Sequence, residues 1–306
     1  MRREHENSPL AAMPMTKIGV DVGGTKIIAG RVSNGKILRE CQVATESPKG
    51  KAVVLKNICA AIEEVMDSSV KGIGVGHPGP LNPVTGVIGK EIVNVPTGGV
   101  NLKRFLEKKF TLPVIVDNDA KCFTLAQTLY GKGKSKRAVL GITLGTGVGS
   151  GLCIDGKLYH GRGNAMEIGH MSIDHDGRPG RCGNRGCFEK YAATIGLLHS
   201  AAEHGLKVSG GKELAELALA GNQTAKKLYA ELGYYLGVGL ANAADAYDPD
   251  IIIIGGNLRH NWELFMPVAI KEMKARSLVA PCPVVKTNLT HSAVIGAASL
   301  DRSKFL

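Results

Sequence analysis

Aromatic residues make up only 5% of the 306 positions, with a single tryptophan, Trp262. No run of 18 apolar residues occurs, which excludes a membrane-spanning helix. The seven cysteines, at 41, 59, 122, 153, 182, 187 and 282, are odd in number and mostly isolated. That argues against a disulfide framework and for a reducing, cytoplasmic setting. Residues 1–14 lack the apolar centre of a secretory signal, and residues 1–15 are expected to be a disordered N-terminal extension. What remains is ordinary: 44% hydrophobic and 21% charged residues, as in soluble globular proteins, on a chain long enough for two domains. Intrinsic disorder, a coiled coil and a collagen-like repeat are all excluded. The net charge of +11 is scattered. Its densest cluster, Lys132, Lys134, Lys136 and Arg137, reads either as a solvated loop or as an anion-attracting lip.

The periodicity predicts alternating strands and helices. Lys17 to Val22 is an apolar strand that ends in Gly23-Gly24-Thr25, and Ile27–Val32 and Lys36–Ala44 pair through a tight turn at Ser33-Asn34-Gly35. Residues 51–66 space Val54, Ile58, Ile62 and Val65 along one helical face. A short strand at 72–76 and a hairpin over Val84–Val93 turning at Thr85-Gly86 follow, then a helix at 101–110, a strand at 113–116 and a helix at 120–129. The opening pattern then recurs: strand 138–144, a glycine–threonine turn, and a hairpin over 151–159 turning at Asp155-Gly156. Residues 189–247 read as mostly helical, with strands at 251–254 and 284–286 and helices at 262–276 and 291–301. A supersecondary unit repeated at 17–44 and 138–159 predicts duplicated α/β halves with a cleft between them.

The 40 glycines cluster in short strings. In Asp21-Val-Gly-Gly-Thr-Lys26 the glycines let backbone N–H groups approach an anion. Thr25 and Lys26 add donors, and Asp21 suits contact with Mg²⁺ through water. Leu144-Gly145-Thr146-Gly147-Val-Gly149 repeats this logic. It is neither a P-loop nor a dinucleotide fingerprint, because the GxGxxG spacing is absent and a strand follows. Two such turns suggest one nucleotide tail gripped from both sides of a cleft. Gly255-Gly256 is a third close-approach point, for an adenosine or simply a strand-to-helix turn.

Asp117, Asn118 and Asp119 lie at a strand-to-helix junction. One of them capping the helix would explain one residue, not three. Asp119 is the candidate general base, taking a proton from a sugar hydroxyl that attacks a γ-phosphoryl group, with Asn118 on a neighbouring hydroxyl. Glu167, His170 and Glu189 add two carboxylates and an imidazole, suited to an uncharged polyol. His170, Cys182 and Cys187 are also three of the four ligands a structural zinc needs. Two free buried thiols beside a polar histidine is the plainer alternative. A fourth ligand from His175, Asp174, Asp176 or water stays open.

Taken together these strings resemble the ROK family (repressor, open reading frame, kinase) from about Thr16 to Asp301. The resemblance implies an actin-like ATPase (ribonuclease H-like) fold, with a small α/β domain of 16–118 plus 291–306 and a large one of 119–290 carrying the sugar and zinc loops. It implies ATP- and Mg²⁺-dependent phosphorylation of a hexose, with glucose and its O6 leading. Alternatives are N-acetylmannosamine, N-acetylglucosamine or fructose as acceptor, and polyphosphate as donor. It implies Asp119 as base; Asn94, Asn118, Glu167, His170 and Glu189 on the sugar; Gly23, Gly24, Thr25 and Thr146 on phosphates; and Gly255 and Gly256 on the adenosine side. A homodimer or homotetramer is expected, with no nucleic-acid or membrane partner. A regulator is disfavoured because about 15 residues before Thr16 cannot form a helix-turn-helix. Gly180 stands where the family has its first zinc cysteine, and His77 before Pro78-Gly79 is also a departure.

Overall fold

The computed structural model describes residues 15–90, 94–180, 182–280 and 282–306. The extension expected at 1–15 lies outside them, save Met15, as does the end of the hairpin expected over 84–93. The first half runs β1 (Thr16–Val22), β2 (Lys26–Ser33), β3 (Lys36–Ala44), α1 (Lys51–Val65), β4 (Val70–His77), β5 (Leu81–Asn82), β6 (Val87–Ile88), α2 (Leu102–Phe110) and β7 (Val114–Asn118). The second begins with α3 (Asp119–Tyr130) and runs through β8 (Ala138–Leu144), β9 (Val148–Ile154), β10 (Lys157–Leu158), α4 (Glu189–Ala192), α5 (Thr194–Glu203), α6 (Gly211–Leu219) and α7 (Gln223–Tyr247). It closes with β11 (Ile251–Gly255), α8 (Trp262–Arg276), β12 (Val284–Lys286) and α9 (Ser292–Ala298). The expected hairpin over 84–93 is shifted: Leu81 pairs with Ile88 and Asn82 with Val87. Asn82 fixes this register, since its Oδ1 accepts from the backbone N–H groups of Val84 and Thr85.

The repeat seen in the sequence is the repeat of the fold. One sheet has the order β3-β2-β1-β4-β7 and the other β10-β9-β8-β11-β12. In each, an antiparallel meander is extended by two parallel strands. The Asn34-Gly35 and Asp155-Gly156 turns both have positive φ at their two central residues, as a two-residue hairpin requires.

Each sheet has its own core. Ile58, Ile62 and Val65 of α1 and Leu102 and Leu106 of α2 bury against the first sheet, while α4 to α8 cover the second. Each fully buried aliphatic side chain contributes about 1.5–3 kcal/mol. Between the sheets lie α3, against β8 and β9, and α9, against β1 and β4. These contacts are backbone-close. A Cβ on Gly74 would stand 1.7 Å from Ala297 O, and one on Gly296 would stand 1.7 Å from Cys122 O. Only glycine admits such an approach. Asp119 therefore begins a helix wedged between the two sheets.

Candidate active site

The three polar residues at the β7–α3 junction have separate tasks. Asn118 caps α3, its Oδ1 accepting from Ala120 N at 2.9 Å and Lys121 N at 3.1 Å. Asp117 is fully buried behind the junction, accepting from Asn118 N at 2.8 Å with Oδ1, while its Oδ2 lies 2.7 Å from His160 Nε2. Asp119 is half-buried and accepts from Ala120 N at 2.9 Å. Burial pushes its carboxyl above the ordinary range, partly offset by that backbone bond. Asp21, at the end of β1, is pushed up to about 7 by burial first and by the Asp119 carboxylate second, against the pull of Lys26. The two acids lie near each other at one end of the first sheet, where Gly76 of β4 pairs with Asp21 on one side and Asp117 on the other and a Cβ on it would be 3.3 Å from Asp119 Cα.

The other predicted residues gather around this pair. A Cβ on Gly79 would lie 3.3 Å from Asn118 Nδ2 and 3.4 Å from Glu167 Oε1, so the Gly79 loop, the cap and Glu167 meet at one point. Burial raises the Glu167 carboxyl; His170 and Lys121 oppose the rise, and Asp119 and Glu189 add to it. His170 Nδ1 lies 3.9 Å from Glu189 Oε1. Gly147, in the second glycine turn, faces Glu189 so closely that a Cβ would be 2.5 Å from Oε2. Asn94 stands beside the first glycine turn, its Cβ 3.0 Å from where a Cβ on Gly24 would be, while Val93 before it lies outside the described residues.

Both glycine turns are braced. In the first, Gly23 N donates to Lys26 O at 2.9 Å, and buried Thr45 donates through Oγ1 to Gly23 O at 2.6 Å. Ser47 Oγ lies 2.9 Å from Gly24 O and 2.7 Å from Asn94 O. In the second, Gly145 N donates to Gly147 O at 3.0 Å, and Gly145 O and Thr146 O accept from the first amides of α5. Thr25 and Lys26 are exposed beside the first turn. A cavity of about 520 Å³ opens from the second, lined by Gly145, Thr146, Lys212, Glu216, Asn257 and Asn261 among others. Lys212, Glu216, Asn257 and Asn261 were missed in the sequence, where they read only as helix and turn. Gly255 and Gly256 are not in the lining. They serve packing, with Cβ positions 2.4 Å from Phe123 Cε2 and 2.2 Å from Leu144 O. The basic cluster 132–137 precedes β8, whereas the glycine turn follows it. A seven-residue strand puts them about 20 Å apart, which favours the solvated-loop reading.

His170, Cys182 and Cys187 do converge, with ligand atoms all within 4.8 Å of one another and the two Sγ atoms 3.4 Å apart. His175 instead pairs with Asp176 in solvent, and Asp174 accepts from Tyr191 OH at 3.1 Å. A Cβ on Gly180 would lie 2.7 Å from Cys187 Sγ and 3.2 Å from Cys182 Sγ, so this glycine faces the cluster without a donor. Arg178 anchors the loop, donating to Lys190 O and Ser200 Oγ and stacking over Tyr191.

The family model of the ROK family matches residues 17–304. This chain belongs to the ROK family. It is 36% identical over 266 residues to a glucokinase of Halalkalibacterium halodurans, covering 79% of this chain and 80% of that one. A xylose repressor of Bacillus spizizenii is 30% identical over 85% of this chain and 68% of its own. The crystal structure of a ROK family glucokinase from Streptomyces griseus, in complex with glucose and AMPPNP, superposes with a TM-score of 0.84 at 32% identity, over 94% of this chain and 99% of that chain. The ROK chain thus has the actin-like ATPase fold that its motifs implied. No helix among its described residues is long and apolar enough to cross a membrane.

Proposed function

We propose that this ROK chain is an ATP-dependent hexose kinase that transfers the γ-phosphoryl group to a sugar hydroxyl, O6 of glucose in the leading case. The observation that carries this reading is the half-buried acid pair beside the glycine turns, with Asn118, Glu167, His170 and Glu189 near it. Asp119 accepts the proton of the attacking hydroxyl while the new oxygen–phosphorus bond forms and the bond to the leaving ADP breaks. Desolvation raises its basicity for that task. Asn118, Glu167, His170 and Glu189, with Asn94 at the rim, hold and orient the other sugar hydroxyls. Backbone N–H groups of Gly24, Thr25, Thr146 and Gly147 receive the phosphates, helped by Lys26, while the Gly23 and Gly145 amides close the two turns on Lys26 O and Gly147 O. The cavity beyond Thr146 takes the nucleoside, with Gly255 and Gly256 forming its support. Magnesium bound with the nucleotide would neutralise phosphate charge, and the Asp21 carboxylate is the group that would face it. We read the domains as 16–118 plus 291–306 and 119–290, acting in the cytoplasm as a homodimer or homotetramer.

The donor chemistry of His170, Cys182 and Cys187 suits zinc, since an imidazole and two thiolates are usual ligands of structural zinc and their ligand atoms gather within 4.8 Å of one another. The ion would pin the loop carrying His170 and Glu189, with Gly180 leaving the fourth corner to a non-protein ligand.

The test is ADP release from Mg-ATP with glucose, mannose, fructose, allose, N-acetylglucosamine and N-acetylmannosamine, using Asp119→Asn as control. A best sugar that the control fails to phosphorylate supports the reading. Silence with every sugar and with polyphosphate as donor overturns it in favour of a sugar-binding regulator.

A further inference from the structure

Lys121 is only 2% exposed, although lysine is rarely buried without a partner. It is the third residue of α3, two beyond Asp119, and its Nζ donates to Gly163 O at 2.9 Å. His160 is 5% exposed. Its Nε2 lies 2.7 Å from Asp117 Oδ2 and its Nδ1 3.1 Å from Leu158 O. Both side chains thus join the Asn118–Asp119 junction to one segment, residues 159–167, which ends at Glu167. Within it the amides of Gly163 and Ala165 donate to His160 O at 2.8 and 3.0 Å, so fixing His160 and Gly163 fixes the whole turn. Packing alone would be served by leucine or methionine at 121 without the cost of desolvating an ammonium group.

We propose that Lys121 and His160 are positioning residues that clip the 159–167 loop to the acid-bearing junction, setting Glu167 at the separation from Asp119 that a sugar spans. This rests on the kinase reading. The loop carries two glycines at positive φ, Gly161 and Gly163, and besides its turn bonds it is held by Leu81 N donating to Asn164 Oδ1 and Ser150 Oγ donating to Met166 O, neither of which ties it to the junction that bears Asp119. A carboxylate that orients a substrate must be held within about 0.5 Å. The two bonds supply that restraint from the element that also carries the base.

The test uses the full chain as wild type, Lys121→Met, His160→Leu and His160→Gln, whose amide nitrogen can take the place of Nε2. Hydrogen exchange of the 158–168 segment is measured without ligand, and KM for the best sugar of the panel and for ATP is measured by ADP release. Lys121→Met and His160→Leu are expected to speed exchange in the loop, with the first sheet unchanged. They are expected to raise the sugar KM about tenfold while leaving the ATP KM within about twofold. His160→Gln restores both. Unchanged loop exchange overturns the proposal, as does faster exchange with a wild-type sugar KM, or sugar and ATP KM rising together. If Lys121→Met does not fold, the two His160 variants decide alone. A wild type that phosphorylates no sugar sinks the kinase reading, while loop exchange still decides whether the clip exists.

Discussion

Asp119, the proposed base, is half-buried near a second acid, Asp21, and that role has measurable consequences. Asp119→Asn should lower kcat by about 10²–10⁴-fold, with the sugar dissociation constant from calorimetry changed little. Because burial raises the Asp119 carboxyl, the acid limb of kcat/KM should lie above the ordinary carboxylate range. Activity falls as pH drops through that raised value, since only the ionised form takes a proton. At this scale the sequence was informative where a residue type is unusual for its place. Three polar residues at the end of an apolar strand pointed to the acid, although Asn118 is also the helix cap that the plainer view required. Lys121 and His160 carried no signal, because a lysine in a first helical turn and a histidine after a hairpin look like surface. Their burial exists only once α3 is wedged between two sheets.

The elements were legible wherever one period dominated. The strands at 17–22 and 138–144 and the helix at 51–66 appear close to their expected bounds. The β5–β6 hairpin was misplaced because its register depends on the Asn82 side chain rather than on alternation. The cavity beside Thr146 was missed because its lining comes from four separated segments, each unremarkable alone. The close approach of α9 to the first sheet was equally invisible, though Gly74 was within a predicted strand. Gly74→Ala puts a methyl 1.7 Å from Ala297 O, a backbone atom that cannot swing aside. It should cost about 1–3 kcal/mol or more, read as a lower urea midpoint. For the loop at 170–189, metal analysis should find about one zinc per chain, removable by a strong chelator with the two sheets intact by circular dichroism. Active, folded protein without zinc would leave Cys182 and Cys187 as free thiols.

For the whole molecule, the mirrored strand orders match the duplication inferred from the glycine–threonine turns, while what joins the halves was not readable. One buried group ties acid stability to the fold. His77 Nδ1 lies 2.8 Å from Pro78 O and its Nε2 2.9 Å from Thr97 Oγ1, an arrangement that suits a neutral ring. Burial lowers its pKa to about 4. The unfolded chain protonates His77 near its ordinary value of about 6.5, so the folded state loses stability as pH falls from there toward 4, by roughly 3 kcal/mol. Urea titrations should show that part of the pH dependence missing in His77→Gln.

The returning helix α9 also sets an order of events during synthesis. Lys17 Nζ donates to Leu300 O across 283 positions, and α9 packs on one face of β1 and β4 while α1 belongs to the core on the other. At about 5–20 residues per second, the last strand of the first sheet is made roughly 9–36 s before α9 is. Throughout that interval the strand bearing Asp21 has one bare, glycine-notched face, and α3 has nothing on the side where Gly296 will lie. The nascent chain must therefore be kept from its neighbours until α9 has emerged, and only then is the helix that Asp119 begins packed against Gly296.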